Sequence, residues 1–493
     1  MKILLVYPNY PETFWSFKYA LKFIGKKATH PPLGLLTVAA LLPKEWEKRL
    51  VDMNVTTLRD TDLEWADYVF ISAMSIQTEP VKRVIERCKR LGVKIVAGGP
   101  LFTTGYEEFE DVDHFVLNEA EITLPPFLED LQNGCARHLY TSQELSDIDE
   151  VPIPLWELIN MKHYAIMSVQ YSRGCPYHCE FCDIPYLYGN KVRIKSKDRI
   201  VAELESLHSH GWKGDVFFVD DNFIGNTRKL KKEFLPALIE WMERKRYPFV
   251  FNTEASIDLA DDEELMQLMV QAGFTAVFVG IETPNEASLA ECNKVQNKNR
   301  DLIASVKKIQ RFGLFVTGGF IVGFDNDPPS IFERLTAFIQ ESGIVSAMVG
   351  LLNAPRGSKL YQRLLKEGRI LQNVTGDNTD FTINFTPRMD YETLIRGYGR
   401  VINSIYSSEP YYQRMKMFLK DFQHMQKKTF QFQFYYLGAF FKTIVFLGII
   451  DEERVYYWKI FFWSLFKRTQ LFPWALVFAV YGYQYRKVFG KYL

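Results

Sequence analysis

"YSRGCPYHCEFCDIP", residues 171–185, sets three cysteines into eight positions: Cys175, Cys179 and Cys182, spaced C-x3-C-x2-C. Three thiolates in one loop can hold an iron–sulfur cube by three of its corners. The fourth iron then stays open to a small molecule, whereas a fourth cysteine would close the site and leave it to carry electrons only. The same logic separates open catalytic zinc from closed structural zinc, and a Cys3His zinc site that recruits His178 competes for the same residues. A disulfide within the loop is a further alternative. Cys88, Cys135 and Cys292 are isolated and read as small buried hydrophobes.

Outward from the cysteines, "MSVQYSR", "DVFFVDD", "FVFNTEA", "TAVFVGIE", "LFVTGGFIVGF" and "SAMVGLLN" read as strands, with a helical segment between each neighbouring pair. Such a series predicts a parallel barrel or partial barrel over residues 166–385. Barrel enzymes place their chemistry at strand C-termini, where this chain carries Asp220, Asp221, Asn222, Glu254, Ser256 and Glu282. Residues 1–132 also alternate short apolar runs with helical patterns, from "KILLVYP" to "HFVLNEA". They predict a doubly wound, Rossmann-like parallel sheet whose ligand loops are 8–10, 72–77, 98–100 and 118–121. In "EPVKRVIERCKRLG" the apolar face is helical and Gly92 closes it. Residues 133–165 read as a linker, and 386–493 as a mainly helical region.

The 493 residues are 47% apolar and 24% charged, which is the composition of a core-forming chain. Fifty-nine basic and 59 acidic residues cancel, so bulk electrostatics offer no case for nucleic acid. Six cysteines are too few for a disulfide framework in a chain this long, and "MKILLVYPNY" lacks the long apolar core of a secretory signal. The expectation is a reducing, cytoplasmic setting, where clustered cysteines bind metal or do redox chemistry.

The cysteine spacing, with Phe181 before the last cysteine and the loop placed after the first of six strands, resembles the signature of radical S-adenosylmethionine enzymes over roughly 165–370. The resemblance implies one [4Fe–4S] cluster held by Cys175, Cys179 and Cys182. It also implies S-adenosylmethionine chelated to the open iron and cleaved by one electron to a 5′-deoxyadenosyl radical. Carried over by position, "VFFVDDNF" places Asp220, Asp221 and Asn222 near the methionine amino group. "FNTEAS" (Glu254, Ser256) and "VGIET" (Glu282) fall where the family meets ribose and carboxylate. Each of these is also readable as a capping or solvated loop residue. No catalytic acid or base stands out.

An open sheet ahead of such a barrel resembles the cobalamin-binding subclass, as do "PPLGLLTVAALL", "AGGP" and "NEAE". Asn118 stands where G-E-x-E has its glycine, and the D-x-H-x-x-G motif that supplies a histidine to cobalt is missing. The resemblance therefore implies cobalamin without a protein histidine on the metal, contacted around Ser72, Ser75, Gln77, Gly98, Gly99 and Glu119. His30 and His114 read as ordinary polar side chains. The alternative is a sheet that serves only substrate binding or dimerisation.

From residue 434 the chain is mostly apolar, aromatic or basic, and its longest charge-free stretch, Thr469–Tyr485, is broken by Pro473 and two glutamines. It predicts helices lying in a membrane interface or packed as a cap, not a spanning helix. "VYGYQYRKVF" and the opening "PNYPETFWSF" resemble the branch of the subclass that has an extra C-terminal domain and includes hopanoid methylases. That resemblance implies methylation of an unactivated carbon on a lipid-like, hopanoid or isoprenoid substrate, with a flavodoxin or ferredoxin as reductant; the aromatic, basic composition of the tail itself predicts peripheral contact with the inner face of the membrane. A radical cyclase without methyl transfer and a non-catalytic cobalamin or redox sensor are the alternatives.

Overall fold

The computed structural model describes residues 1–423 and 434–491; positions 424–433 of the C-terminal region lie outside the described residues. The N-terminal sheet contains β1 (Lys2–Tyr7), β2 (Glu47–Asp52), β3 (Tyr68–Ser72), β4 (Lys94–Gly98), β5 (His114–Val116) and β6 (Leu139–Tyr140). All pair in parallel, in the order β2-β1-β3-β4-β5-β6. Alternate residues of one strand enter different cores: Leu4 and Val6 pack against helix Thr78–Leu91, while Ile3 and Leu5 pack against helix Leu33–Leu41. Burial on both faces is why these strands read as continuous apolar runs. Gly92 ends helix Thr78–Leu91 in the left-handed region at φ +69°, as its sequence predicts. β6 falls inside the stretch read as linker; two residues are too few to show a period.

The second sheet begins with β7 (Met167–Val169). The chain then breaks into a small antiparallel ribbon, β8 (Ser172–Arg173) with β9 (Arg193–Ile194), and the three cysteines sit in the loop between them. The remaining strands are β10 (Gly214–Phe218), β11 (Phe249–Glu254), β12 (Phe274–Glu282), β13 (Phe315–Val322) and β14 (Ala347–Leu351). Their order is β14-β13-β12-β11-β10-β7, all parallel, so β7 and β14 are edges and the barrel is partial. Along β11, Phe249, Phe251 and Thr253 are buried while Val250, Asn252 and Glu254 are partly open. A period of two with the helix-covered side the more buried means that the inner face lines a hollow.

Residues 14–30 run between the two edges. Trp15 donates its indole N–H to Met348 Sδ on β14 (3.2 Å) and packs edge-on against Phe278 of β12 (5.5 Å between ring centres). At the other end Ala28 and Thr29 accept backbone hydrogen bonds from Ala165 and Ile166 beside β7. His30 then reaches Ser168 Oγ (3.2 Å) and Phe217, with the ring centres 5.5 Å apart.

The C-terminal region divides in two. Helices Tyr391–Tyr406, Ser408–Asp421 and Phe472–Phe489 pack on the barrel. There the buried hydroxyl of Tyr411 donates to Phe478 O (2.8 Å), and Tyr485 stacks on Phe14 (4.5 Å). Helices Phe434–Val445 and Arg454–Lys467 lie outside them as a hairpin. Among the described residues no helix is long and apolar enough to cross a membrane.

Tyr398 ties this packing to the barrel: its fully buried hydroxyl lies 3.0 Å from Val349 O and 3.1 Å from Thr379 O. Tyr398→Phe keeps the ring and removes only the donor, so a destabilisation of about 1–3 kcal/mol is expected. Calorimetry should show a lower melting temperature; an unchanged one would mean that the hydroxyl contributes nothing.

Candidate active site

The cysteine loop starts at a position only glycine fits. Gly174 has φ +91°, and a Cβ there would lie 2.9–3.2 Å from the carbonyl oxygens of Lys191, Gly189 and Tyr188. The carboxylates at the end of β10 hold this start by its backbone: Gly174 N donates to Asp221 (2.8 Å), and the amides of Tyr171 and Ser172 donate to Asp220. The loop's far side rests on residues 291–297. Glu180 N donates to Cys292 O (2.9 Å), Asn293 donates to His178 O (3.1 Å), and the Gln296 amide approaches Cys179 Sγ at 4.0 Å.

Burial raises all three thiols above their usual range, and each lies within the electrostatic reach of another. Lys294 counters that rise at Cys175 and Cys179. Its ammonium pairs with Glu282 at 2.5 Å and sits 5.9 Å over the Phe181 ring. Among the described residues no three His, Cys, Asp or Glu side chains close around one point as a single metal ion would need. A cube spreads its thiolate ligands over separate iron corners, and three buried thiols beside a cation are the donor chemistry it takes. His178, the loop's candidate for a fourth ligand, is exposed.

The strand-end residues gather on the lumen side of this loop. Asn222 Nδ2 donates to Ser256 Oγ (3.1 Å), joining the ends of β10 and β11. Asp220 is pushed up to about 7 by burial, against the pull of the Ser172 and Tyr171 amides. Asp221 is pushed up to about 6 in the same way, against the Gly174 amide. Glu254 rises further, to about 8, through burial and then the charges of Asp221 and Asp220. It is the one acid of this group for which no hydrogen bond or ion pair is found among the described residues. Glu282 lies at a register shift between β12 and β13 and takes φ +64°, a costly conformation for a long side chain that its pairing with Lys294 holds in place. Sequence reasoning missed Lys294 and Gln296; "ECNKVQN" carries no spacing that marks them.

At the N-terminal sheet the predicted contacts separate into two groups. Gln77 is fully buried and turned to protein: its amide donates to Pro8 O and its carbonyl accepts from Met74 N (2.9 Å). Glu119 is likewise turned to protein, as described below. Ser72, Ser75, Gly98 and Gly99 stay at the open edge. There Gly99 has φ +87°, and a Cβ on it would meet Ser72 Oγ at 2.5 Å. Met74, Leu145 and Tyr186 are exposed apolar side chains of this edge, the linker and the cysteine loop respectively. His114 opens β5 at the opposite edge and approaches Arg137 O, while His30 lies in the barrel, so neither histidine is at the ligand edge. Asn118 takes φ +62°, the left-handed conformation that explains a glycine at that place in related motifs.

Glu119 joins the two domains. Its carboxylate pairs with Arg193 (2.6 Å) and Arg173 (3.4 Å) and accepts from Ser146 N (2.7 Å). Arg173 also pairs with Glu121 (3.1 Å). Arg173 and Arg193 are the cross-strand partners of β8 and β9, so these carboxylates neutralise two cations set directly opposite each other at the base of the cysteine loop. Burial would raise Glu119, but Arg193, Arg173 and the Ser146 amide hold it down to about 2. Glu119→Ala should cost about 3–5 kcal/mol, because it leaves buried guanidiniums unpaired. The solvent-exposed pair Lys82–Glu79 should lose at most about 1 kcal/mol in Glu79→Ala. Melting temperatures of the two variants test this; equal shifts would refute the clasp.

Three family descriptions match the chain in succession: a B12 binding domain over 26–128, the radical SAM superfamily over 169–339, and a domain of unknown function, DUF4070, over 358–493. An uncharacterised methyltransferase of Synechocystis sp. is 42% identical over 424 residues, 85% of this chain and 79% of the relative. The hopanoid C-2 methylase of Rhodopseudomonas palustris is 36% identical over 389 residues, 78% of this chain and 73% of the relative. In fold, the chain is similar to the radical S-adenosylmethionine methyltransferase TsrM of Kitasatospora setae, with a TM-score of 0.58 at 16% identity, covering 76% of each chain. The family's cofactors are S-adenosylmethionine, a [4Fe–4S] cluster and cobalamin; it acts on small molecules and needs a reductant. The chain belongs to the cobalamin-binding radical S-adenosylmethionine methylases, in the branch with an extra C-terminal domain that includes hopanoid C-2 methylase.

Proposed function

We propose that this enzyme methylates an unactivated carbon of a lipid-like, hopanoid or isoprenoid substrate, with Cys175, Cys179 and Cys182 holding the [4Fe–4S] cluster. The observation that carries the reading is the clasp between Glu119 and the Arg173–Arg193 ribbon, which joins the loop after β5 of the N-terminal sheet to the loop that holds the cysteines. Held by these cysteines, a cluster would supply the electron that cleaves S-adenosylmethionine, and cobalamin would carry the methyl group. Relatedness to a hopanoid C-2 methylase supports a polycyclic lipid, and flavodoxin or ferredoxin is the proposed reductant.

The chain's own residues do the rest. Glu254, for which no hydrogen bond or ion pair is found among the described residues, and Asp221, beside its bond from Gly174 N, stand at the strand ends as acceptors for a cationic ligand. Asn222 and Ser256 orient the strand ends that carry them. Phe217, Phe278, Met348 and Trp15 give the lumen apolar walls, which suit an apolar substrate and keep water from a reactive carbon.

Anaerobic reconstitution should give about four irons per chain, the content of one cube. Cleavage of S-adenosylmethionine should vanish in Cys175→Ala, Cys179→Ala or Cys182→Ala without a change in melting temperature beyond that of iron loss. Incubation with a hopanoid and a reduced flavodoxin should yield a product heavier by one CH2 unit. Cluster and cleavage without that mass gain would support a cyclase or another oxidative outcome instead.

The carboxylates also set a pH dependence. Asp221 and Glu254, raised to about 6 and about 8, are protonated below those values and cannot then pair with a cation. S-adenosylmethionine should therefore bind more tightly as pH rises through about 6 to 8, with proton release on binding that Glu254→Gln reduces. Titration calorimetry in buffers of different ionisation enthalpy reads this; affinity flat across that window would remove Glu254 from the site.

A further inference from the structure

The outer face of the C-terminal hairpin has the polarity of a protein interior. Helix Phe434–Val445 exposes Leu437, Phe441 and Val445, each one turn from the next. The stripe continues into Ile449 and Ile450, 61% and 62% exposed. On the returning helix, Arg454–Lys467, Val455, Phe462 and Phe466 form a second stripe, with Phe466 74% exposed. Trp458, Phe462 and Phe466 stack in a row, with ring centres 5.5 and 6.4 Å apart. The opposite faces of the same helices are buried: Leu447, Tyr457 and Phe461 pack on Ala20 and Phe23. A helix apolar on both sides belongs in a protein core or at a lipid boundary, and the outer side of this one is open.

The charges around the stripes select the partner. Lys459 and Lys467 lie on the second stripe and Arg454 at its start, all exposed. Lys22 stands exposed beside the first helix, its carbonyl accepting from Lys442 Nζ (2.8 Å). None of Lys22, Arg454, Lys459 and Lys467 is in an ion pair among the described residues. Two copies of this face would bury Lys459 and Lys467 where neither helix, Phe434–Val445 nor Arg454–Lys467, carries an acid to pair with them, whereas anionic headgroups complement them. The acidic residues of the hairpin, Asp451, Glu452 and Glu453, are confined to its turn, and Asp451 is paired with Arg486 (3.3 Å). An acidic tip is disfavoured in an anionic headgroup layer, so the hairpin lies along the surface instead of entering turn first.

We infer that this face docks the enzyme on an anionic lipid bilayer as an interfacial, non-spanning anchor. It goes beyond the reaction proposed above and stands on the surface alone. Aromatic and aliphatic side chains enter the headgroup boundary while the lysines and arginine stay among the phosphates. Beneath the hairpin, helix Lys18–Ile24 packs against helices Phe434–Val445 and Phe472–Phe489. Trp15, just ahead of that helix, is in the barrel wall, so the docked face adjoins the segment that leads into the lumen.

The test is flotation of the reconstituted holoenzyme with vesicles of phosphatidylglycerol and phosphatidylcholine, against phosphatidylcholine alone. The expected result is binding to the anionic vesicles that weakens at high salt. The triple variant Phe441→Glu/Ile449→Glu/Phe466→Glu should lose about tenfold or more of the bound fraction with its melting temperature and S-adenosylmethionine affinity unchanged. A milder Lys459→Gln/Lys467→Gln variant should lose only the preference for anionic lipid. Equal flotation of wild type and triple variant, or no flotation of wild type, overturns the inference. So does sedimentation showing a dimer that the triple variant dissolves, since the face would then belong to a second copy. Activity on detergent-dispersed substrate is measured separately, so docking can fail while the proposed reaction stands.

Discussion

A carboxylate held between two arginines organises this molecule. Glu119 comes from the loop after the fifth strand of the N-terminal sheet, and Arg173 and Arg193 face each other across the ribbon that begins and ends the cysteine loop. Without an anion between them the guanidiniums would repel across a buried contact. With it, the ribbon, the open edge of the sheet and the loop become one unit. Charge-assisted hydrogen bonds between residues of different domains thus add directional contacts to the apolar packing of Phe14, Ala28 and Leu36 in the barrel core.

From that unit the acid residues divide their work. Asp220 and Asp221 hold backbone amides of the segment leading into the cysteines, and Gly174 gives that segment the one conformation that lets it pass three carbonyl oxygens. Glu254 is left over, raised toward neutrality because it is buried near the other two. Three carboxylates at adjacent strand ends would oppose folding if all were charged. At Asp220 and Asp221 backbone amides oppose the rise that burial causes, and Glu254, for which no such bond is found among the described residues, is raised furthest.

The architecture was readable in the sequence wherever burial imposes a period. "KILLVYP" and "DVFFVDD" announce strands covered on both faces or hollow on one, and "EPVKRVIERCKRLG" announces its own end at Gly92. The cysteine loop announces itself by spacing. What could not be read is contact between distant residues. Glu119 looked like a ligand contact because its motif neighbours do, but its partners are 54 and 74 positions away. Lys294 and Gln296 matter through a loop that folds back on Cys179, and nothing local marks them. Two-residue β6 shows no period at all, and Cys135, isolated like Cys88, is exposed where Cys88 is buried.

The C-terminal region shows why composition alone left two readings open. The same aromatic, basic vocabulary serves both halves. In Tyr398, Tyr411 and Tyr485 the rings are buried and every hydroxyl finds a carbonyl or a serine, which is the behaviour of a packed cap. In Phe441, Phe462 and Phe466 there is no hydroxyl to satisfy, and half or more of each residue stays exposed. A buried phenol needs a hydrogen-bond partner, whereas a phenylalanine can lie in the core, as Phe418, Phe478 and Phe489 do, or stay open, as these three do. The packed cap is thus the set of helices on the barrel, and the face inferred to dock lies on the hairpin outside them.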